Sequence, residues 1–194
     1  MEGRKPQTVG IMGAGPGCGV THFAVLFANY LTAVERKRTA ILAWDGSRGL
    51  EELAAVCTGG KMGPNPISIL KVDYFPDHGV EGLAWCLQRD YDCVLLDFGS
   101  VQDGGRAEFL QCGLQFFLGA LNEWKLAELM KQKDWMQKGR GHWTFLAAFG
   151  SQEARREVKR RYGLWFEPIP YAPDAFSIEE ETAAFFKRIW RDQG

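Results

Sequence analysis

The residues best placed to do chemistry gather in one stretch, Gly13-Ala-Gly-Pro-Gly-Cys-Gly-Val-Thr-His22. Glycines stand at alternate positions, Gly13, Gly15, Gly17 and Gly19, and the hydroxyl of Thr21 and the imidazole of His22 follow at once. Without side chains, backbone N–H groups can close around an anion, and a helix starting at Val20 would add the partial positive charge of its N-terminus. The chemistry suited to such a loop is phosphate binding. Aligned on Gly19 and Thr21, the stretch departs from the phosphate-loop pattern G-x-x-x-x-G-K-[ST] at two places. Ala14 occupies the first glycine position and Val20 the lysine position. Valine offers a phosphate neither charge nor donor, whereas Thr21 can still present a hydroxyl to Mg²⁺. The plain alternative is a tight strand-to-helix turn that binds nothing.

Asp97 is the second candidate. It ends the apolar run of Tyr91-Asp-Cys-Val-Leu-Leu-Asp97. Parallel sheets bind ligands at the carboxyl ends of their strands, so Asp97 reads either as the partner of Thr21 in an Mg²⁺ site or as a polar residue that simply ends a buried strand. Asp45 reads as a helix cap or turn former. His22 is either a phosphate contact or a polar residue opening a helix. His78 and His142 are isolated and receive no metal or catalytic role. Cys18 reads mainly as a small packing residue within the loop.

These residues need elements to hold them. Val9, Ile11 and Met12 predict a buried strand before the loop, and Val20 to Leu31 an apolar helix after it. Further strands are expected at Thr39–Trp44, Ile67–Val72, Tyr91–Gly99, Leu114–Leu121, His142–Phe149 and Leu164–Ile169. Helices are expected at Gly49–Val56, Val80–Gln88, Glu123–Met136, Gln152–Arg161 and Glu179–Arg191, with Gly59–Pro66 as a loop. Apolar runs of strand length alternate with helix-length segments. That pattern predicts an α/β fold with three layers, a mainly parallel central sheet covered on both faces, in one domain spanning 1–194.

Composition narrows the setting. The hydrophobic fraction is 46%, the charged fraction 24% and the net charge −1, so no chain-wide basic field is available for nucleic acid. Five cysteines, none in a C-x-x-C pair, fit thiols in a reducing cytoplasm better than disulfides or zinc. No apolar signal core or membrane-length run is present in the sequence.

Three segments, in order, resemble the MinD/ParA family of P-loop ATPases. In that family the loop reads K-G-G-x-G-K-[ST]-[ST], and the matching positions here are Gly15, Pro16, Gly17, Cys18, Gly19, Val20, Thr21 and His22. Both lysines are replaced, by Gly15 and Val20. The second strand of the family ends D-x-D, and here reads Ala43-Trp44-Asp45, without the first aspartate, which positions the attacking water. The segment ending at Asp97-Phe-Gly99 matches the Walker B pattern. Ile169-Pro-Tyr-Ala-Pro-Asp174 resembles the loop beside the nucleotide base, while Ala148-Phe-Gly150 lacks the asparagine often found there.

The resemblance implies a degenerate ATP-type nucleotide-binding module that holds ATP or ADP with Mg²⁺ weakly or has lost them. It would act through protein partners, with a homodimer as one form, in positioning or assembling a larger machine. Phosphoryl transfer depends on positioning and on charge neutralisation at the γ-phosphate, so efficient hydrolysis is not expected. The alternatives are a slow ATPase completed by dimerisation or a partner, a scaffold that binds no nucleotide, and a dinucleotide binder reading Gly13-Ala-Gly-Pro-Gly as G-x-G-x-x-G. Cys18 at the sixth position weighs against the last. The basic segment Arg155–Arg161 suggests DNA phosphates or simply a solvated face. Phe185–Arg191 mixes aromatic and basic residues as MinD membrane anchors do, although packing of Phe185, Ile189 and Trp190 on the core is favoured. The expected location is the cytoplasm, with peripheral contact at the inner membrane face as the membrane variant.

Overall fold

The computed structural model describes residues 5–44, 48–60, 66–76, 79–102 and 104–191. Asp45, His78 and part of the Gly59–Pro66 loop lie outside them.

An apolar strand, β1 (Gln7–Gly13), leads through the glycine loop into α1 (Val20–Ala33). Next come β2 (Thr39–Ala43), α2 (Gly49–Cys57), β3 (Ile67–Ile69), β4 (Val72–Phe75) and α3 (Gly79–Leu87). β5 (Cys93–Ser100), α4 (Arg106–Phe109), β6 (Leu114–Ala120), α5 (Glu123–Lys131) and α6 (Lys133–Lys138) follow. The chain closes with β7 (Thr144–Phe149), α7 (Gln152–Tyr162), β8 (Glu167–Pro168) and α8 (Glu180–Arg191). The eight strands form one sheet in the order β3-β4-β2-β5-β1-β6-β7-β8, parallel throughout except for the β3–β4 pair. This is the expected α/β architecture with a mainly parallel sheet.

Burial explains why the strands read as apolar runs. All five residues of β2 are buried, as are the first six of β5, because helices cover both faces. One face is filled from α1. Phe23 and Phe27 meet Phe116 edge-on, and Phe186 of α8 packs on Phe23, Phe27 and Tyr30. On the other face, Phe109 and Phe117 pack with Trp135 and Trp143, whose rings lie 4.5 Å apart. These two tryptophans are core residues, whereas Trp124 is 85% exposed.

Several elements differ from the expectation: β8 is two residues long within the expected Leu164–Ile169, and α4 is not among the expected helices. Ile67–Val72 is not one strand. It is the first part of a hairpin in which Ile69 pairs with Val72 across Leu70 and Lys71. Both turn residues are left-handed, with φ of 48° and 68°, a conformation usually signalled by Asn or Gly. Glu123–Met136 is two helices, because the chain turns at Gln132 between α5 and α6. Asp97 does not end its strand: β5 continues to Ser100.

β1 sits between β5 and β6, and the chain crosses to β2 on one side of it and later to β6 on the other. The reversal of winding around β1 opens a crevice at the carboxyl ends of the strands, where sheets of this type take ligands. The glycine loop starts in that crevice.

Candidate functional site

The loop is anchored at its base by the neighbouring strands. The carbonyl of Gly13 accepts from Val101 N–H at 2.8 Å, and Ala14 N–H donates to the Leu118 carbonyl at 2.9 Å. Gly17 and Gly19 both have φ of 77°, a region costly for any residue with a Cβ. Gly19 caps α1, and its carbonyl accepts from Phe23 N–H at 2.9 Å. The alternating glycines thus serve a turn that brings the chain straight into a helix N-terminus.

Thr21, in the first turn of α1, donates its hydroxyl to Asp97 Oδ2 at 2.6 Å. Asp97 is fully buried, and its Oδ1 accepts from Gly99 N–H at 2.9 Å. The β1–β5 register, which pairs Ile11 with Asp97, sets this approach. The Thr21 hydroxyl spends its proton on Asp97 and keeps its lone pairs. Among the described residues no group of three His, Cys, Asp or Glu side chains is placed to hold a metal. Beside the loop, the oxygens of Thr21 and Asp97 stand close enough together to be offered to one cation. That donor set fits Mg²⁺, which takes few protein ligands and fills its shell with water and phosphate oxygen.

Two cavities meet at the loop. One, of about 480 Å³, is lined by Gly15 through His22, by Arg48, Gly49 and Glu52 at the start of α2, and by Gly99 and Ser100. The other, of about 330 Å³, is a mostly apolar slot between Phe23 and Leu26 on one side and Phe149, Ile169, Pro170 and Tyr171 on the other. Gly17, Gly19 and His22 border both. His22 Nε2 donates to the Ala172 carbonyl at 2.7 Å, tying the helix start to the 169–172 segment.

The lysine-position residue, Val20, is only 6% exposed, and its side chain packs toward β1, where a Cβ on Gly13 would meet its Cγ2 at 2.8 Å. Cys18 is buried, in keeping with a packing role. Ala43 pairs with Asp97 in the β2–β5 ladder and is 2% exposed, so no polar group comes from that position.

Several site residues carried no signal in the sequence. Lys125 of α5 donates to the Pro16 carbonyl at 3.0 Å and pairs with Glu128 at 3.1 Å. Glu128 also accepts from Gln102 at 3.2 Å. The hydrogen bond from Lys125 holds the Glu128 carboxyl below its usual pKa range. Its carboxylate occupies the space a side chain at position 15 would take, 2.6 Å from a Cβ built on Gly15. Gly49 makes another such contact: a Cβ there would lie 2.5 Å from Thr21 Oγ1. Only the fold shows that Gly15 and Gly49 are close-approach positions.

The two surface segments are engaged within the chain. Arg160 and Arg161 pair with Glu157, and Arg155 and Lys159 stand over the Trp165 ring at 5.6 and 5.2 Å. In α8, Phe185, Phe186 and Ile189 are buried and Trp190 packs on Phe27. The apolar face of α8 is thus turned to the core. No helix among the described residues is long and apolar enough to cross a membrane.

No family model matches the sequence, and no curated protein matches it. Solved structures do match the fold. MinD of Aquifex aeolicus superposes with a TM-score of 0.67 at 11% identity, covering 97% of this chain and 98% of that one. A plasmid partition protein from Borrelia burgdorferi gives 0.63 at 9% identity, covering 98% and 100%. A nucleotide-binding protein in complex with ADP from Archaeoglobus fulgidus gives 0.56 at 14%, covering 93% and 86%. The chain has the P-loop NTPase fold of the MinD and ParA proteins.

Proposed function

We propose that this chain is a degenerate nucleotide-binding module, taking ATP or ADP, with Mg²⁺ at Thr21 and Asp97. The observation that carries the reading is the pair of cavities meeting at Gly17, Gly19 and His22. A polar cradle joined to an apolar slot matches the two ends of a nucleotide. Backbone N–H groups of Gly15–Thr21 and the α1 N-terminus would face the phosphates, which needs no side-chain charge. The base would lie in the slot against Phe149, Ile169 and Tyr171. Mg²⁺, when bound, would neutralise phosphate charge. Thr21 would offer it a hydroxyl lone pair while donating to Asp97, and the Asp97–Gly99 bond keeps that carboxylate oriented.

Turnover is another matter. Gly15, Val20 and Ala43 provide neither the charge nor the water-positioning carboxylate that phosphoryl transfer needs. The module therefore acts by binding and release, through protein partners that read its nucleotide state, in positioning or assembling a larger complex. A homodimer is one such partnership. The local engagement of Arg155–Arg161 and Phe185–Arg191 leaves DNA and membrane contact as secondary readings.

Calorimetry of the purified chain with ATP, ADP and Mg²⁺ tests the proposal. Saturable binding, weakened by Tyr171→Ala in the slot, is expected. Absence of binding at millimolar nucleotide would leave the loop as a structural turn in a scaffold. Steady-state ATP hydrolysis should not exceed that of a Thr21→Ala control.

A further inference from the structure

Charge is what the glycine loop lacks. Backbone amides and a helix dipole give partial charges only, and residues 15 and 20 are Gly and Val. The cradle nonetheless has a full cation on its wall. Arg48, the residue before α2, lines the loop cavity together with Gly49 and Glu52.

The position of Arg48 is set by packing. With no Cβ, Gly49 lets the start of α2 press against the first turn of α1, where any larger residue would run into Thr21 Oγ1 and Cγ2 at 2.5 and 2.8 Å. This contact brings residue 48 to the same cavity as Gly15–His22. Ala54 and Leu50 bury the inner face of α2 and hold it there. Among the described residues the Arg48 guanidinium has no ion-pair or hydrogen-bond partner: the four ion pairs are Lys125–Glu128, Arg160–Glu157, Arg161–Glu157 and Arg188–Glu167. Lys125, the other nearby cation, is engaged by Glu128 and the Pro16 carbonyl. Glu52, one turn further along α2, is the acidic residue on the same wall.

We infer that Arg48 is the phosphate-recognising cation of this site, doing from the start of α2 what a loop lysine does elsewhere. The inference rests on the nucleotide reading above and adds a ligand preference. A guanidinium presents a planar fork of donors that matches phosphate oxygens two at a time. Arg48 lines the loop cavity and not the apolar slot, so it contacts the phosphates and leaves the base alone. The site then favours di- and triphosphates over monophosphates, and binds inorganic pyrophosphate without any base. Glu52, in the lining of the same cavity, opposes it and weakens the binding of the more highly charged phosphates.

The test is calorimetry on the full chain with ATP, ADP, AMP and pyrophosphate, each with Mg²⁺, for wild type, Arg48→Ala, Arg48→Lys and Glu52→Gln. Thermal melts of each variant check folding, and the exposed Arg48 side chain makes all four chains comparable. Arg48→Ala should lose roughly ten- to hundredfold in ATP, ADP and pyrophosphate affinity, and little in AMP affinity. Arg48→Lys should recover part of the loss, and Glu52→Gln should tighten pyrophosphate. Raising salt should weaken wild type more than Arg48→Ala. If wild type binds ADP and Arg48→Ala binds it equally well, the role of Arg48 is overturned while the nucleotide reading stands. If wild type binds none of the four ligands, the nucleotide reading falls and this inference with it.

Discussion

Thr21 and Asp97, 76 residues apart in sequence, are joined by a 2.6 Å hydrogen bond from hydroxyl to carboxylate at the mouth of the central crevice. Asp97 is fully buried. A buried carboxylate depends on its donors, and losing one leaves it a hydrogen bond short. Thr21→Val keeps the shape and removes the donor. It should cost about 1–3 kcal/mol of stability, measured by denaturant unfolding. Thr21→Ser should stay close to wild type. If both variants lose the same amount, the methyl group and not the hydroxyl matters at this position. In nucleotide titrations Thr21→Val should also abolish any gain from adding Mg²⁺.

The β3–β4 hairpin makes a different kind of prediction. Leu70 and Lys71 are both left-handed, and each such non-glycine residue is strained by about 1–2 kcal/mol. Leu70 is 62% exposed, so its side chain contributes little packing in return. Replacing the pair by Asn-Gly should therefore stabilise the chain by about 1–2 kcal/mol, read as a raised unfolding midpoint in urea. An unchanged or lowered midpoint would mean that the turn is held by contacts stronger than its backbone preference.

That turn also marks where the sequence stops being informative. The main strands were legible because parallel strands buried on both faces must be apolar along their whole length, as β2 and β5 are. The glycine loop was legible because Gly17 and Gly19 occupy backbone conformations other residues avoid. The hairpin was not, because Leu70-Lys71 carries no turn chemistry and the apolar run passes straight through it. The break between α5 and α6 at Gln132 has no Gly or Pro to announce it. Arg48, Lys125 and Glu128 were missed for a third reason: they reach the loop from other helices, and only the strand order decides which helices stand beside it. Gly49 read as the start of a helix, yet its absent side chain is what lets α2 rest on Thr21.

The thiols give a check on burial. Cys86 and Cys112 are buried, and burial pushes both up to about 12. Near pH 8 such groups carry almost no thiolate, the form that reacts. Cys18 and Cys93 are also buried, whereas Cys57 is exposed near the end of α2. An aromatic disulfide reagent should therefore label one thiol quickly in the native chain and all five in denaturant. Fast labelling of a second thiol in the native chain would show that one of the buried positions opens readily.

The lysine-position residue tests whether the loop is a weakened phosphate site or only a turn. Restoring charge with Val20→Lys should favour ATP over ADP, because a cation at that position acts on the terminal phosphates. From the sequence, a lysine that extends toward a loop of small residues should meet tolerable crowding. In the structure Val20 is only 6% exposed, and its Cγ2 packs over Gly13 so closely that a Cβ there would lie 2.8 Å away. A lysine must run its stem through this contact before its ammonium reaches the cavity, so overpacking should cost about 1–3 kcal/mol of stability. Calorimetry and urea unfolding on the same preparation separate the two effects. A folded variant with a lowered midpoint and a gain in ATP affinity larger than for ADP is the expected result. Hydrolysis should be no faster than in wild type, since Ala43 still supplies no carboxylate for water. A variant that folds, with its circular dichroism unchanged, and gains affinity for neither nucleotide would remove the phosphate role from the loop. The alternating glycines would then be explained entirely by the turn between β1 and α1.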